Sequence, residues 1–197
     1  MARRFEAANW ERLVSPQRRE LIDPARFITN LGIAPGSTAA DIGAGPGFFT
    51  IPLAEAVGER GTVHALDVSP DMIEVLLRSQ LPPQVRAAVM EENHVPLADG
   101  SVDFALLAFV LHELNDPVAL LSDIRRTLRP APAGRLVVLE WIPQEEEMGP
   151  PAHERLAPRD ARALIERAGF RTADQGMAND SNYYIDARPA SAENDNA

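Results

Sequence analysis

The chain has 197 residues, 45% hydrophobic and 24% charged, which is typical of a globular protein that buries one core. It contains no cysteine, which excludes disulfides, cysteine metal sites and cysteine catalysis. A net charge of −10 disfavours nucleic-acid or membrane-surface binding, and the amino terminus shows no secretory signal, so we expect a cytoplasmic protein.

Residues 1–36 precede the first predicted strand and are expected to form a helical lid segment. Asp23-Pro24 is typical of a helix start, because Asp caps free N–H groups and Pro fits the first turn. Gly32 is expected to end that helix. An amphipathic stretch around Trp10 and Leu13 comes earlier and could cover the functional site.

From residue 37 onward, short apolar strands alternate with helical patterns, which predicts a parallel sheet with helices on both faces. The strands are predicted at 39–42, 62–66, 85–90, 103–109, 135–141, 170–175 and 182–187. The last two read as a hairpin. We therefore expect an α/β, doubly wound, Rossmann-like seven-stranded sheet, mostly parallel with a C-terminal antiparallel strand. This domain is expected to span 37–188, followed by a disordered tail at 189–197.

The first strand runs into three glycines at alternate positions, Gly43, Gly45 and Gly47, and a helical pattern follows. Glycine permits a positive φ and a close approach by a ligand, and a helix start attracts anionic groups. A dinucleotide-binding G-x-G-x-x-G motif would need its third glycine at position 48, where Phe48 stands. The spacing therefore argues against NAD.

Asp67 ends the second predicted strand, 20 residues after Gly47. An acidic residue there can accept hydrogen bonds from both ribose hydroxyls and would repel a 2′-phosphate. In open parallel sheets the ligand lies beyond the carboxyl ends of the strands, so the turns at 91–93 and 108–113 are expected to contribute to the same site.

Six short motifs together resemble class I S-adenosylmethionine (SAM)-dependent methyltransferases, in the methyltransferase type 11 group that includes quinone-biosynthesis C-methyltransferases. These motifs are Asp41–Gly47, Asp67, Glu91–Leu97, Val110–Leu114, Leu128–Pro130 and Ala168–Phe170. The resemblance covers residues 24–187. It implies SAM as the cofactor, a small-molecule acceptor, and an in-line displacement that moves the methyl group.

The resemblance also assigns roles to cofactor-binding residues. The glycine turn would hold the methionine portion of SAM, Asp67 would bind the ribose, and Val68 and Met72 would flank the adenine. Either Glu91 or Glu92 would contact the adenine amine, and the sequence does not decide which. The full candidate set is Asp41, Gly43, Ala44, Gly45, Pro46, Gly47, Asp67, Val68, Met72, Glu91, Glu92, Asn93, Ala108 and Phe109.

An acceptor that carries an O–H, N–H or acidic C–H bond needs a base, which typically accelerates transfer about 10²- to 10⁴-fold. His112, with Glu113 beside it, is the candidate catalytic residue, and a purely structural role for His112 is the alternative. Glu140, Trp141, Tyr183 and Tyr184 are further acceptor-side candidates. The run Glu145–Glu147 is expected to be solvated rather than to bind a metal, and no metal is predicted.

Two other functions remain open from the sequence. An NAD-dependent oxidoreductase shares the strand–turn–helix logic but would need a catalytic motif with lysine, and the chain contains none. A non-catalytic SAM-binding protein would keep the glycines but have its acceptor space filled, for example by Trp10 or Tyr183.

Overall fold

The computed structural model describes residues 7–191. Within them, the chain forms two compact units, one with residues up to Glu92 and one with residues from Asn93 onward. Seven strands form one sheet in the order β3-β2-β1-β4-β5-β7-β6. In residues 7–191, no helix has the length and apolar character that crossing a bilayer requires.

The first unit carries three parallel strands, β1 (Thr38–Ile42), β2 (Thr62–Asp67) and β3 (Val85–Val89), with β2 in the middle. Its helices are α1 (Pro16–Leu21), α2 (Pro24–Asn30), α3 (Thr50–Val57) and α4 (Pro70–Arg78), preceded by a 3₁₀ segment, Ala7–Val14.

The second unit carries β4 (Phe104–Ala108), β5 (Arg135–Trp141), β6 (Phe170–Met177) and β7 (Asn182–Pro189). Strands β4 and β5 are parallel, and β7 lies between β5 and β6 and is antiparallel to both. Helices α5 (Pro117–Thr127) and α6 (Pro158–Arg167) complete it, with short 3₁₀ segments at Leu111–Glu113 and Ala152–Glu154.

Within residues 7–191, side-chain caps start four of the six α-helices, and each capping residue stands directly before a proline. The Ser69 hydroxyl accepts from the Met72 amide and starts α4. The carboxylates of Asp23 and Asp116 do the same for α2 and α5, and Ser15 does so for α1. Such a cap stabilises a helix by about 1 kcal/mol, and the proline fits because its missing N–H would have had no partner.

The most apolar strands are buried on both faces. Leu106 and Leu107 of β4 and Val137 and Val138 of β5 are fully buried, as expected for strands with helices on either side. This explains why both were readable from the sequence as continuous apolar runs. The prediction of a seven-stranded, mostly parallel sheet with a C-terminal antiparallel strand is confirmed, and β7 is that strand.

The edges of the predicted domain are only partly described. Strand β7 extends to Pro189, the first residue of the predicted tail, while residues 192–197 of that tail lie outside the described residues. Residues 1–6 of the predicted lid segment lie outside them as well.

Candidate active site

The turn after β1 is left-handed at all three of its alternate glycines. Gly43, Gly45 and Gly47 have φ values of 73°, 52° and 94°, a region that side chains with a Cβ rarely adopt. The amides of Gly43 and Ala44 both donate to the Leu66 carbonyl, at 2.8 and 3.0 Å. The turn is therefore fastened to the neighbouring strand β2.

The glycines of this turn meet different neighbours. A Cβ built on Gly47 would lie 2.5 Å from Cδ1 of Leu76 in α4, so this glycine is needed for packing within the protein. A Cβ on Gly45 would lie 3.7 Å from Cδ1 of Leu13, which is ordinary contact. The sequence interpretation gave all three glycines the same two roles, a positive φ and close approach by a ligand, whereas Gly47 also serves the packing of α4.

The Asp67 carboxylate, at the end of β2, is nearly buried and holds two backbone amides. Its Oδ2 accepts from Gly45 N and its Oδ1 from Ser69 N, both at 2.8 Å. Both oxygens are thus held by backbone amides of the chain itself. The residue predicted to bind ribose is therefore directed at the glycine turn, and its oxygens are already oriented.

Asp41, the first residue of the motif, is buried in β1 with only 2% of its surface exposed. The Thr50 hydroxyl donates to its Oδ2 at 2.6 Å. Burial raises the pKa of Asp41 to about 7; the hydrogen bond from Thr50 works against this, and the charge of Asp67 adds to it. A carboxyl group with a pKa of about 7 therefore lies in β1, two residues before the glycine turn.

The residues predicted for the adenine end differ in exposure. Met72 is buried at the start of α4, where its amide donates to Ser69, and Val68 is half-buried. Glu92 is half-buried, and Glu91 is exposed. Ala44 is buried and Pro46 half-buried within the turn, and Asn93, in the second unit, is exposed.

The amino-terminal segment of the first unit lies over the glycine turn. Leu13 contacts the Gly45 position. The guanidinium carbons of Arg18 and Arg19 lie 4.9 and 5.3 Å from the centre of the Phe48 ring, which is cation–π distance. The face of the Phe48 ring is therefore covered by guanidinium groups of the protein itself. The lid role of residues 1–36 stays a prediction that these contacts support.

In the second unit, β4 ends in a strained residue. Phe109 has a φ of 61° and is the only residue other than glycine with a positive φ among residues 7–191. Its ring lies 5.1 Å from that of Trp141, at the end of β5. A bulky residue in this conformation costs about 1–3 kcal/mol, and such strain is often found at functional sites. Ala108, just before it, is half-buried.

His112 lies in the 3₁₀ segment after β4 and faces a carboxylate that lies 28 residues further along the chain. Its Nδ1 is 3.0 and 2.8 Å from Oε1 and Oε2 of Glu140. The His112 side chain is only 5% exposed and that of Glu140 is fully buried. The predicted partner Glu113 is further away, with its Oε1 at 3.8 Å from Nε2.

The charge of this cluster controls the protonation of His112. Burial lowers the pKa of His112, but the charge and hydrogen bond of Glu140, and the charges of Glu113 and Glu154, outweigh it. The net result is a raised pKa. The carboxylates therefore favour the imidazolium form of His112, a property suited to a group that receives a proton.

Sequence reasoning missed a buried arginine that organises the loop after β5. Arg155 donates to the carbonyls of Ile142, Met148 and Pro150 at 2.8–3.1 Å. Its Nη1 lies 2.6 Å from Oε2 of Glu146, and its guanidinium lies over the Trp141 ring. Glu145 and Glu147 are exposed, as expected of a solvated run, but Glu146 is paired.

Comparisons with known proteins agree with this geometry. The Methyltransferase domain family, Methyltransf_11, matches residues 40–138, about half of the chain. A SAM-dependent methyltransferase structure from Aquifex aeolicus is 30% identical and superposes with a TM-score of 0.88, covering 93% of this chain and 98% of that one. The chain belongs to the class I SAM-dependent methyltransferases.

Sequence relatives of this methyltransferase are longer proteins. A demethylmenaquinone methyltransferase from Lysinibacillus sphaericus is 34% identical over 117 residues, which is 59% of this chain and 49% of that protein. A 37.1 kDa protein of transposon Tn4556 from Streptomyces fradiae is 40% identical over 111 residues, which is 56% of this chain and 32% of that protein. The chain thus spans half or less of the length of these relatives.

The predictions of a class I methyltransferase and of SAM as its cofactor are confirmed. The glycine turn fits that cofactor, because Gly45 presents a bare, left-handed backbone to an oriented carboxylate. The roles of the individual residues stay predictions.

Proposed function

We propose that this methyltransferase moves a methyl group from SAM to a small-molecule acceptor by in-line displacement. The observation that carries the proposal is the hydrogen bond from Gly45 N to the Asp67 carboxylate, at 2.8 Å. It connects the residue predicted to bind the ribose with the turn predicted to bind the methionine portion. Bound there, SAM supplies an activated methyl group on a sulfonium. The protein then acts mainly by position, an effect worth up to about 7–11 kcal/mol in ideal systems.

The chain's own residues divide into holding and proton-accepting groups. We assign the glycine turn and Asp67 to the methionine and ribose portions of the cofactor, and Val68 and Met72 to the adenine. Glu91, Glu92 and Asn93 would surround the adenine edge, and Ala108 and Phe109 would border the cofactor from the end of β4. His112 would accept the acceptor's proton at Nε2, with Glu113 beside it.

The small-molecule assignment is supported by charge and by relatives. A net charge of −10 repels polyanions and so disfavours nucleic acid or an anionic membrane as partner. The name of the Lysinibacillus relative states demethylmenaquinone as the compound that it methylates. A reduced naphthoquinone is therefore the first acceptor to test, and a cytoplasmic location is part of the proposal.

Binding of SAM tests the cofactor half of the proposal. Calorimetry should show that Asp67→Ala weakens SAM affinity by at least about tenfold, because the ribose hydroxyls lose a charged acceptor worth about 1.5–3 kcal/mol. Asp71→Ala, an exposed carboxylate in α4, is the matched control and should bind SAM like the parent. Equal affinity in Asp67→Ala and the parent would contradict the proposed role.

Transfer of a labelled methyl group tests the acceptor half. The parent is incubated with methyl-labelled SAM and chemically reduced 1,4-naphthoquinone, then with small phenols. We expect label in the organic extract from the parent and none from Asp67→Ala. Label recovered only in added RNA or DNA, and in no small molecule, would contradict the small-molecule assignment.

A further inference from the structure

Several hydrogen bonds fix the positions of His112 and Glu140 relative to each other. Each Glu140 oxygen approaches Nδ1 of His112, at 3.0 and 2.8 Å, and each also accepts a backbone amide. Oε1 accepts from His112 N at 3.3 Å and Oε2 from Trp141 N at 3.2 Å. The carboxylate therefore has a fixed orientation, and it fixes the imidazole ring.

This contact assigns the two ring nitrogens. Nδ1 faces an acceptor-only carboxylate, so in neutral His112 the proton lies on Nδ1. Nε2 then carries the lone pair. Glu113 Oε1, at 3.8 Å from Nε2, is beyond hydrogen-bond distance, so Glu113 does not orient the ring as Glu140 does.

The geometry points to Glu140 as the positioning residue that makes His112 a base at Nε2, and hence to a methyl acceptor that must lose a proton, such as a phenol, an enol or an acidic carbon. This inference rests on the proposed function for its last step. It excludes tertiary amines and thioethers as acceptors, since these nucleophiles carry no proton to remove.

The charged groups around His112 favour this assignment. Glu140 comes from β5, Glu113 from the histidine's own segment and Glu154 from the 3₁₀ segment Ala152–Glu154, and all three carboxylates raise the pKa of His112 against its burial. Tyr183 of β7 is paired directly with Glu140; burial first, and then the charge of Glu140, raise its pKa. The raised pKa keeps Tyr183 neutral, so Tyr183 does not compete with His112 for the proton of an acceptor.

The proton and electron balance is simple. The acceptor's O–H or C–H bond breaks, its proton goes to Nε2 of His112, and its electron pair forms the new bond to the methyl carbon. The electron pair of the broken S–C bond stays on sulfur. Glu140 stabilises the imidazolium, which then releases its proton to water. No oxidant or reductant is needed.

Nitrogen-15 NMR of the imidazoles tests the inference without an acceptor. The chain has four histidines, and His112→Gln assigns the relevant signals. In the parent we expect neutral His112 to be the Nδ1–H tautomer with a raised pKa. In Glu140→Gln that pKa should fall by about 1–3 units, the range for loss of an adjacent opposite charge. The control Glu113→Gln should keep the tautomer and shift the pKa less.

Two results would overturn the inference. One is an Nε2–H tautomer in the parent, which requires no variant to fold. The other is a His112 pKa that moves as much in Glu113→Gln as in Glu140→Gln. If Glu140→Gln is unfolded, Glu140→Asp replaces it, and its shorter side chain should weaken the contact and lower the pKa in the same direction.

Kinetics then separate this inference from the proposed function. With a phenolic acceptor, Glu140→Gln should lower kcat at least about tenfold and leave the KM for SAM unchanged, while the acidic limb of the pH profile moves to lower pH. A parent that binds SAM but methylates nothing would overturn the proposed function and leave the NMR result standing. A parent that methylates with a kcat unaffected by Glu140→Gln would overturn the inference alone.

Discussion

At the scale of single residues, Asp41 of β1 couples the stability of the fold to pH. Its carboxyl group is buried, its pKa is raised to about 7 by that burial, and Thr50 donates to it. Between pH 4 and pH 7 the folded protein keeps this proton while the unfolded chain releases it. Stability is therefore lost as the pH rises through this window, the reverse of the usual behaviour of a paired carboxylate.

Asp41→Asn is expected to remove this pH dependence, because the amide can still accept from Thr50 but never ionises. Its stability advantage over the parent should grow by about 2–3 kcal/mol between pH 5 and pH 8. Denaturant unfolding at the two pH values measures this. Asp180→Asn, a change at an exposed carboxylate, should follow the parent, and an advantage for Asp41→Asn that does not change with pH would contradict the argument.

The sequence pattern located the candidate site residues but not the partners that the structure gives them. Asp41, the three glycines and Asp67 could be located because local spacing marks a strand, a turn and a strand end. Glu140 as the partner of His112 could not, since the two lie 28 residues apart and meet only where β4 and β5 end side by side. Glu113 was named beside His112 because it is the next residue in the chain, and its Oε1 lies 3.8 Å from Nε2 of the histidine.

At the scale of elements, the glycine turn and α4 depend on each other through Gly47. Gly47→Ala is expected to lose about 1–2 kcal/mol for the left-handed backbone and about 1–3 kcal/mol more because its Cβ would lie 2.5 Å from the buried Leu76. Gly36→Ala is the matched control, since Gly36 has a similar φ of 87° and open space around it. If Gly47→Ala and Gly36→Ala lose the same unfolding free energy, Leu76 moves aside at no cost and the packing role of Gly47 is wrong.

Arg155 is expected to hold the loop after β5 in place. Its side chain is fully buried, so Arg155→Met leaves three carbonyls without their donors and Glu146 without its charge partner, a loss of about 3 kcal/mol. Limited proteolysis should cut within 143–151 faster in this variant. Arg159→Met, at a side chain that is 88% exposed, should change stability by less than about 0.5 kcal/mol, and resistance of Arg155→Met to cleavage would refute the role.

The ends of the strands show where local pattern is informative. Strand β5 was predicted with its observed bounds, because its mainly apolar sequence is preceded directly by a glycine and followed by a loop that contains proline. Strand β4 ends one residue before its prediction, at Ala108, because Phe109 adopts a left-handed φ that no residue pattern announces. The acidic run was predicted to be solvated, and Glu145 and Glu147 are exposed. Glu146 differs because it forms an ion pair with the buried Arg155.

At the scale of the whole molecule, ligand linkage gives a direct test of the cofactor. At a SAM concentration about 100 times Kd, the folded state gains about 2.7 kcal/mol, which for a chain of this size raises Tm by about 5–10 °C. NAD at the same concentration should leave Tm unchanged, because position 48 holds Phe rather than the third glycine of a dinucleotide motif. A larger shift with NAD than with SAM would contradict the assignment.

The fold class was readable from the sequence because the alternation of strands and helices leaves few arrangements that bury all the apolar strands. The strand order, with β7 between β5 and β6, depends on contacts between residues far apart in the chain. The local patterns predicted only that β6 and β7 form a hairpin.

The two amide bonds to Asp67 carry a further consequence for selectivity. Since both of its oxygens are anchored within the folded chain, the carboxylate cannot swing to compensate for an altered sugar. If Asp67 binds the ribose as proposed, a 2′-deoxy analogue of the cofactor would offer this fixed carboxylate one hydrogen-bond donor fewer than SAM does. On that proposal, selectivity for the sugar would be set when the chain folds, before any nucleoside binds.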